Sequence, residues 1–150
     1  MTMLMRRIAR YSVLAVVIAL VGCSNFENWR DEKARDDAAA TVYPDNYKTE
    51  ILALMRTYLN DPGQVRDAKI SDPTIWTIDG RSRYAVCLRY NAKKSDGQYA
   101  GTKDNLFTFR QGRLDRILDP TRDPRDTVQI REHCKDMAMK PFVELERLSR

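Results

Sequence analysis

Arg83-Tyr84-Ala85-Val86-Cys87-Leu88-Arg89-Tyr90-Asn91 decides the fold. In a strand, successive side chains point to opposite faces. Tyr84, Val86, Leu88 and Tyr90 then share one face, and Ala85, Cys87 and Arg89 share the other. This alternation makes it the clearest strand in the chain. Downstream, residues 93–102 are turn-rich and hold Gly97 and Gly101. Residues 106–109 read as the next strand. Gln111-Gly112 turns the chain, and residues 114–118 return as the second arm of a hairpin. Upstream, residues 65–70 read as a short edge strand and Asp72-Pro73 breaks it. Ile75, Trp76 and Ile78 follow before a turn at Asp79-Gly80.

Helical spacing brackets this strand region. Tyr43-Pro44-Asp45-Asn46 opens the folded part, with Asp45 or Asn46 placed to cap a helix. Tyr47, Ile51, Leu54, Tyr58 and Leu59 recur near helical spacing, with Met55 beside them. Asp61-Pro62-Gly63 ends the helix. Its apolar stripe reads as a core face. After the hairpin, Asp119-Pro120 and Asp123-Pro124 punctuate a charged loop. Residues 128–137, with His133 and Cys134, read as helical. Pro141 is placed to start a last short helix carrying Phe142, Leu145 and Leu148. Aspartate precedes four of the six prolines, which fits turn initiation. The expected fold is α+β over residues 43–150. It has an antiparallel sheet of three to five strands, an N-terminal helix packed on one face and a C-terminal helical segment.

The amino terminus has a different character. Arg6, Arg7 and Arg10 precede an apolar run of about a dozen residues, short of the roughly 20 that a spanning helix needs. Leu20-Val21-Gly22-Cys23 ends it. A basic head, an apolar middle and small residues at the cut make a secretory leader. These four residues resemble the lipobox of bacterial lipoproteins. The resemblance implies cleavage after residue 22, a diacylglycerol thioether on Cys23 and fatty acylation, such as a palmitate, of the new amino terminus. The competing reading is an uncleaved signal anchor with an incidental cysteine. By the same resemblance, Ser24 favours the periplasmic face of the outer membrane over the inner membrane. Residues 23–42 then read as a lipid-anchored tether in which charges alternate without an apolar face. Phe26 and Trp29 sit where aromatic rings favour a membrane interface.

Cleavage changes the charge argument. The full chain has 26 basic and 21 acidic residues, a net of +5, and a pI near 9.2. Three arginines and no acid leave with the leader, so the mature chain carries only +2. That weakens the case for an anionic polymer, and nucleic acid is not expected as a partner. With Cys23 taken by lipid, Cys87 and Cys134 remain as an even pair in an oxidising compartment. This predicts a disulfide tying the C-terminal segment over the second sheet face. Two separate thiols are the alternative.

Residues 84–92, Gly97-Gln98-Tyr99-Ala100-Gly101 and Phe107-Thr108-Phe109-Arg110-Gln111-Gly112 resemble small envelope lipoproteins of proteobacteria. That likeness spans residues 43–118 and implies a non-enzymatic envelope domain; it carries over no catalytic residue. His133, the only histidine, adjoins Cys134, but helix neighbours do not face each other and a bridged sulfur is no nucleophile. One histidine and two distant cysteines give no zinc spacing. Asp115, Asp119, Asp123 and Asp126 alternate with Arg116, Arg122 and Arg125, which reads as a solvated, internally paired loop rather than a calcium site. No catalytic residue, metal or cofactor is predicted. The candidate binding surface is the turn-rich segment bearing Lys93, Lys94, Tyr99 and Lys103, since loops carry function and tyrosine suits interfaces.

Two functions of different class follow. One is a lipid-anchored envelope protein that binds another envelope component, expected to be a protein, in assembly or maintenance. The other is a small periplasmic enzyme using paired carboxylates on cell-wall material. The anchor itself is directly testable. Globomycin is expected to accumulate the unprocessed precursor, and Cys23→Ser to abolish lipid labelling; unchanged processing in both experiments would refute lipidation.

Overall fold

The structure is a computed structural model and describes residues 29–35, 37–38, 42–78 and 80–149. The leader over residues 1–22, Cys23 and tether residues 24–28 lie outside the described residues. Residues 29–35 and 37–38, read above as tether, are helical and exposed. No helix among the described residues is long and apolar enough to cross a membrane. The chain divides into units 1–36 and 37–150, and the sheet belongs to the second.

That unit is α+β. Helix α1 (Tyr47–Tyr58) is followed by a 3-10 turn (Pro62–Gln64) and strands β1 (Arg66–Ser71), β2 (Thr74–Ile78), β3 (Arg81–Lys93), β4 (Tyr99–Arg110) and β5 (Arg113–Leu118). Helix α2 (Asp126–Cys134), strand β6 (Met139–Pro141) and helix α3 (Val143–Glu146) complete it. The strands form one six-stranded antiparallel sheet in the order β5-β4-β3-β1-β6, with β2 also paired to β3. This is one strand more than the upper count expected from sequence. The addition is β6, which pairs with β1 and removes residues 65–70 from the edge they were given. Pro141 therefore closes a strand instead of opening a helix. Its missing N–H is tolerated on an outer strand.

β3 changes neighbours along one edge. Ile70 pairs with Leu88, and Thr74 pairs with Ala85. Between them, Asp72-Pro73 interrupts the ladder. The Cys87 N–H, which would be left unpaired there, donates to the buried Ser71 Oγ at 2.9 Å. A buried backbone donor needs such a partner. On the other edge, the β4–β5 hairpin turns at Gln111 and Gly112, both with positive φ (53° and 74°). Two left-handed residues match the twist of paired strands. A Cβ at Gly112 would also meet the Val42 side chain at 2.9 Å.

The alternation of β3 divides the interior. Val86, Leu88 and Tyr90 face Phe107 and Phe109, with Ile51 and Met55 of α1 and Phe142, Leu145 and Leu148 packed above. On the opposite face, Ala85 and Cys87 meet Leu106, Leu118, Ile78 and α2 residues Ile130 and Cys134. Helix α1 starts without the expected aspartate or asparagine side-chain cap. The Tyr47 N–H donates to the Pro44 carbonyl instead. Glu50 then fastens the helix to β5, accepting from Leu114 N at 2.6 Å and pairing with Arg113 at 2.7 Å.

Cys87 and Cys134 form a disulfide with Cα atoms 5.7 Å apart, across a separation of 47 residues. Closing a loop of that length restricts the unfolded chain by about 4 kcal/mol in the entropy model. The smaller apolar cluster on this face gives α2 less to hold it by packing alone. Replacing both cysteines by serine is expected to lower stability by about 2–4 kcal/mol, read as an earlier midpoint in urea unfolding. An unchanged midpoint would mean that packing alone holds α2.

Candidate functional site

The first sheet face changes character along β4. Phe109 and Phe107 lie in the core, and the next two residues on that face are Asn105 and Lys103, opposite Leu88 and Tyr90. Helix α1 ends at Tyr58 over this polar continuation. β5 delivers Leu118 and Asp119 beside it. The result is a cleft of about 560 Å³ lined by Tyr58, Tyr90, Lys93, Lys94, Lys103, Asp119, Arg122 and neighbouring small residues.

Asp119 organises the cleft. It is 2 % exposed. Tyr58 Oη donates to Oδ2, and Lys103 Nζ donates to the same oxygen at 3.1 Å. Thr121 donates its backbone N–H and its hydroxyl to Oδ1 at 2.8 and 2.7 Å. Burial alone would raise the Asp119 carboxyl. The bonds from Tyr58, Thr121 and Lys103 outweigh burial and hold it well below the usual carboxylate range. Tyr58 is pushed up by burial and by the carboxylate it serves. This corrects, at Asp119, the reading of a solvated, internally paired loop. Asp119 is an interior anion with four donors, and Asp126 turns its carboxylate to the Asp119 N–H at 3.0 Å. Asp123 fits the earlier reading, pairing with the exposed Arg125 at 2.7 Å.

Cations flank the tyrosine rings. The Arg122 guanidinium lies 4.3 Å from the Tyr58 centroid. Lys103 Nζ lies 5.9 Å from that centroid and 5.5 Å from that of Tyr90. Both are cation–π distances. Tyr90 is fully buried, and its hydroxyl has no hydrogen-bond partner among the described residues. Burial pushes it up strongly, and neighbouring Tyr58 and Asp119 add to this.

Of the four residues proposed from sequence, Lys93, Lys94 and Lys103 line this one cleft. Tyr99 stands beside it, flanked by the Arg66 guanidinium at 4.2 Å and Lys93 Nζ at 5.6 Å. Its hydroxyl is buried, so the side chain is not the open aromatic platform that sequence suggested. Tyr58, Tyr90, Asp119 and Arg122 were missed as site residues. Tyr58 and Tyr90 read as core stripes, and Asp119 and Arg122 as members of the charged loop.

His133 lies elsewhere, on the second face. It is 4 % exposed, 4.7 Å from the Trp76 ring by centroids, with Nε2 3.3 Å from Thr74 Oγ1. Burial lowers its pKa against a hydrogen bond to the Ala85 backbone. Cys134 beside it has its sulfur in the disulfide. Among the described residues no group of three or more histidine, cysteine, aspartate or glutamate side chains gathers to hold a metal ion. No family model matches the chain, and comparison with curated proteins and with solved structures finds no match.

Asp119→Asn removes the charge that Lys103 and Tyr58 answer. Lys103 is a quarter exposed, so the loss is expected at about 2–3 kcal/mol, below that of a fully buried pair. The folded carboxyl titrates below its ordinary 3.8. Its contribution is therefore complete at neutral pH and is lost as pH falls below that value. Urea unfolding near pH 7 and near pH 3 is expected to show the variant losing less stability on acidification than the parent. Equal acid sensitivity would contradict Asp119 as the anchor.

Proposed function

We propose that this chain is a lipid-anchored cell-envelope protein whose folded domain binds another envelope component and performs no catalysis. The lipobox-like Leu20-Val21-Gly22-Cys23 supplies the anchor, and Ser24 favours the periplasmic face of the outer membrane. The cleft beside the β3–β4 hairpin is the contact. One observation carries the binding reading: the carboxylate lining the cleft, Asp119, is saturated by Tyr58, Lys103 and Thr121.

Such a carboxylate is a poor base, because taking a proton would cost it these bonds. It is also a poor acid, because it is held ionised. Acid–base hydrolysis of cell-wall sugar requires a second carboxylate across a substrate gap. Asp126, the nearby acid, is engaged by the Asp119 backbone and is not among the residues lining the cleft. With Lys103 answering Asp119 and Lys94 pairing with Asp96, Lys93 and Arg122 give the cleft a cationic surface instead, suited to recognition through charge.

A photo-crosslinking residue in place of Thr102, which lines the cleft, is expected to trap a discrete adduct in intact cells. The same residue in place of Val128, exposed on α2, should not. Lys93→Glu combined with Arg122→Glu is expected to cut the adduct by roughly 10-fold. An adduct insensitive to this charge reversal, or none at Thr102, would refute the cleft as the contact.

A further inference from the structure

We infer that the cleft binds a phosphate group, an inference that rests on the binding reading above and names its ligand chemistry. The starting observation is the Tyr90 hydroxyl. Phenylalanine would fill the same volume in the core cluster that Tyr90 shares with Leu88. Tyr90 lines the cleft, and its buried hydroxyl finds no partner among the described residues. A buried donor of this kind calls for a water molecule or for an acceptor brought from outside.

The surroundings specify that acceptor. Lys103 Nζ sits over the Tyr90 ring and spends one N–H on Asp119, while an ammonium has three. Arg122 is held on the Tyr58 ring, which orients its fork without using its hydrogen-bond donors. Lys93 adds charge at the rim. Asp119 is the opposing charge in the cleft, and Lys103 offsets it; Lys94 is paired with Asp96 at 3.0 Å. Lys93 and Arg122 therefore leave the cleft positive.

Donors approach from two strands and a loop: Tyr90 on β3, Lys103 on β4 and Arg122 after β5. A planar carboxylate offers two oxygens in one plane. A phosphate offers three or more in a tetrahedral array, and charge-assisted bonds to it are among the stronger hydrogen bonds. Arg122 can take two oxygens while Tyr90 and Lys103 reach a third. The same chemistry would serve free phosphate or the phosphate monoester of a lipid headgroup.

The test is calorimetric titration of the full chain in zwitterionic detergent, at constant ionic strength, with inorganic phosphate, glycerol 3-phosphate and acetate. Saturable binding of either phosphate probe is expected, with acetate weaker by about 10-fold or more. Tyr90→Phe is expected to weaken binding about 10-fold while leaving thermal stability equal or higher, because only an unpaired donor is removed. Arg122→Gln, at an exposed position, is expected to weaken it similarly. Tighter binding of glycerol 3-phosphate would support a headgroup source, and tighter binding of inorganic phosphate a free one. Absence of saturable binding, acetate binding as well as phosphate, or full affinity in Tyr90→Phe would overturn the inference. In the last case the hydroxyl serves a water molecule. If those results came with an intact, charge-sensitive crosslink at Thr102, the binding cleft would stand and the phosphate would fall. Loss of the crosslink itself would remove the binding reading.

Discussion

Residues 85–88 of β3 are buried on both sides of the sheet, and that double burial constrains everything around them. A strand covered on one face needs one packing layer, whereas β3 needs two. The two layers are unequal. On one side α1 and the segment 142–148 bring large side chains down on Val86, Leu88 and Tyr90. On the other, the buried cluster has fewer members: Ala85 and Cys87 join Ile78, Leu106 and Leu118, and α2 reaches them through Ile130 and Cys134. A short helix that buries only Ile130, His133 and Cys134 gains little hydrophobic free energy. The covalent link from Cys87 to Cys134 supplies there what the side chains do not. The disulfide thus sits where the core is thinnest.

This asymmetry also explains which parts of the fold were legible in the sequence. The alternation in residues 83–91 gave β3 and its two faces, and Gln111-Gly112 gave the tight hairpin turn. The spacing from Tyr47 to Leu59 gave α1. Three things were less visible. β3 and β4 run well beyond their apolar cores, because ladder hydrogen bonds continue through Asn91, Thr102 and Lys103 without any apolar signal. β6 is three residues with a proline and makes no periodic pattern. The start of α1 shows a capping sequence whose side chains do not cap, since the Pro44 carbonyl already serves the first turn.

The four Asp-Pro pairs show how local chemistry can be readable while its consequence is not. In three of them the aspartate Oδ1 accepts the N–H two residues on: Gly63 at 3.2 Å, Thr121 at 2.8 Å and Arg125 at 3.0 Å. These are the side-chain-mimicked turns expected of aspartate in loops. The fourth, Asp72, instead meets Lys140 at 2.5 Å. The backbone turn bond itself does not separate Asp119 from Asp61 or Asp123. What separates them is Tyr58, 61 residues away in sequence, whose hydroxyl completes the shell and encloses the carboxylate. The one local hint is position: Asp119 directly follows Leu118, the buried end of β5, and so enters the interior edge of the sheet.

The candidate site follows from the same strand geometry that builds the core. Side chains on one face of β4 run from Phe109 and Phe107 through Asn105 to Lys103, so an apolar face becomes polar within one strand. The core cannot end at Phe107 without polar atoms meeting apolar neighbours, and Asn105 bridges the step by donating to the Leu118 carbonyl at 3.2 Å. Beyond it, Asp119 draws Lys103 and Tyr58 together, so the polar end is held by ionic hydrogen bonds as the apolar end is held by packing. Rigidity and recognition need not conflict here. The groups that fix the cleft, Asp119 and Thr121, spend their hydrogen-bonding capacity inward. Lys103 and Arg122 keep donors in reserve, and the Tyr90 hydroxyl remains unspent. The cleft thus combines one satisfied anion with donors that remain unspent among the described residues.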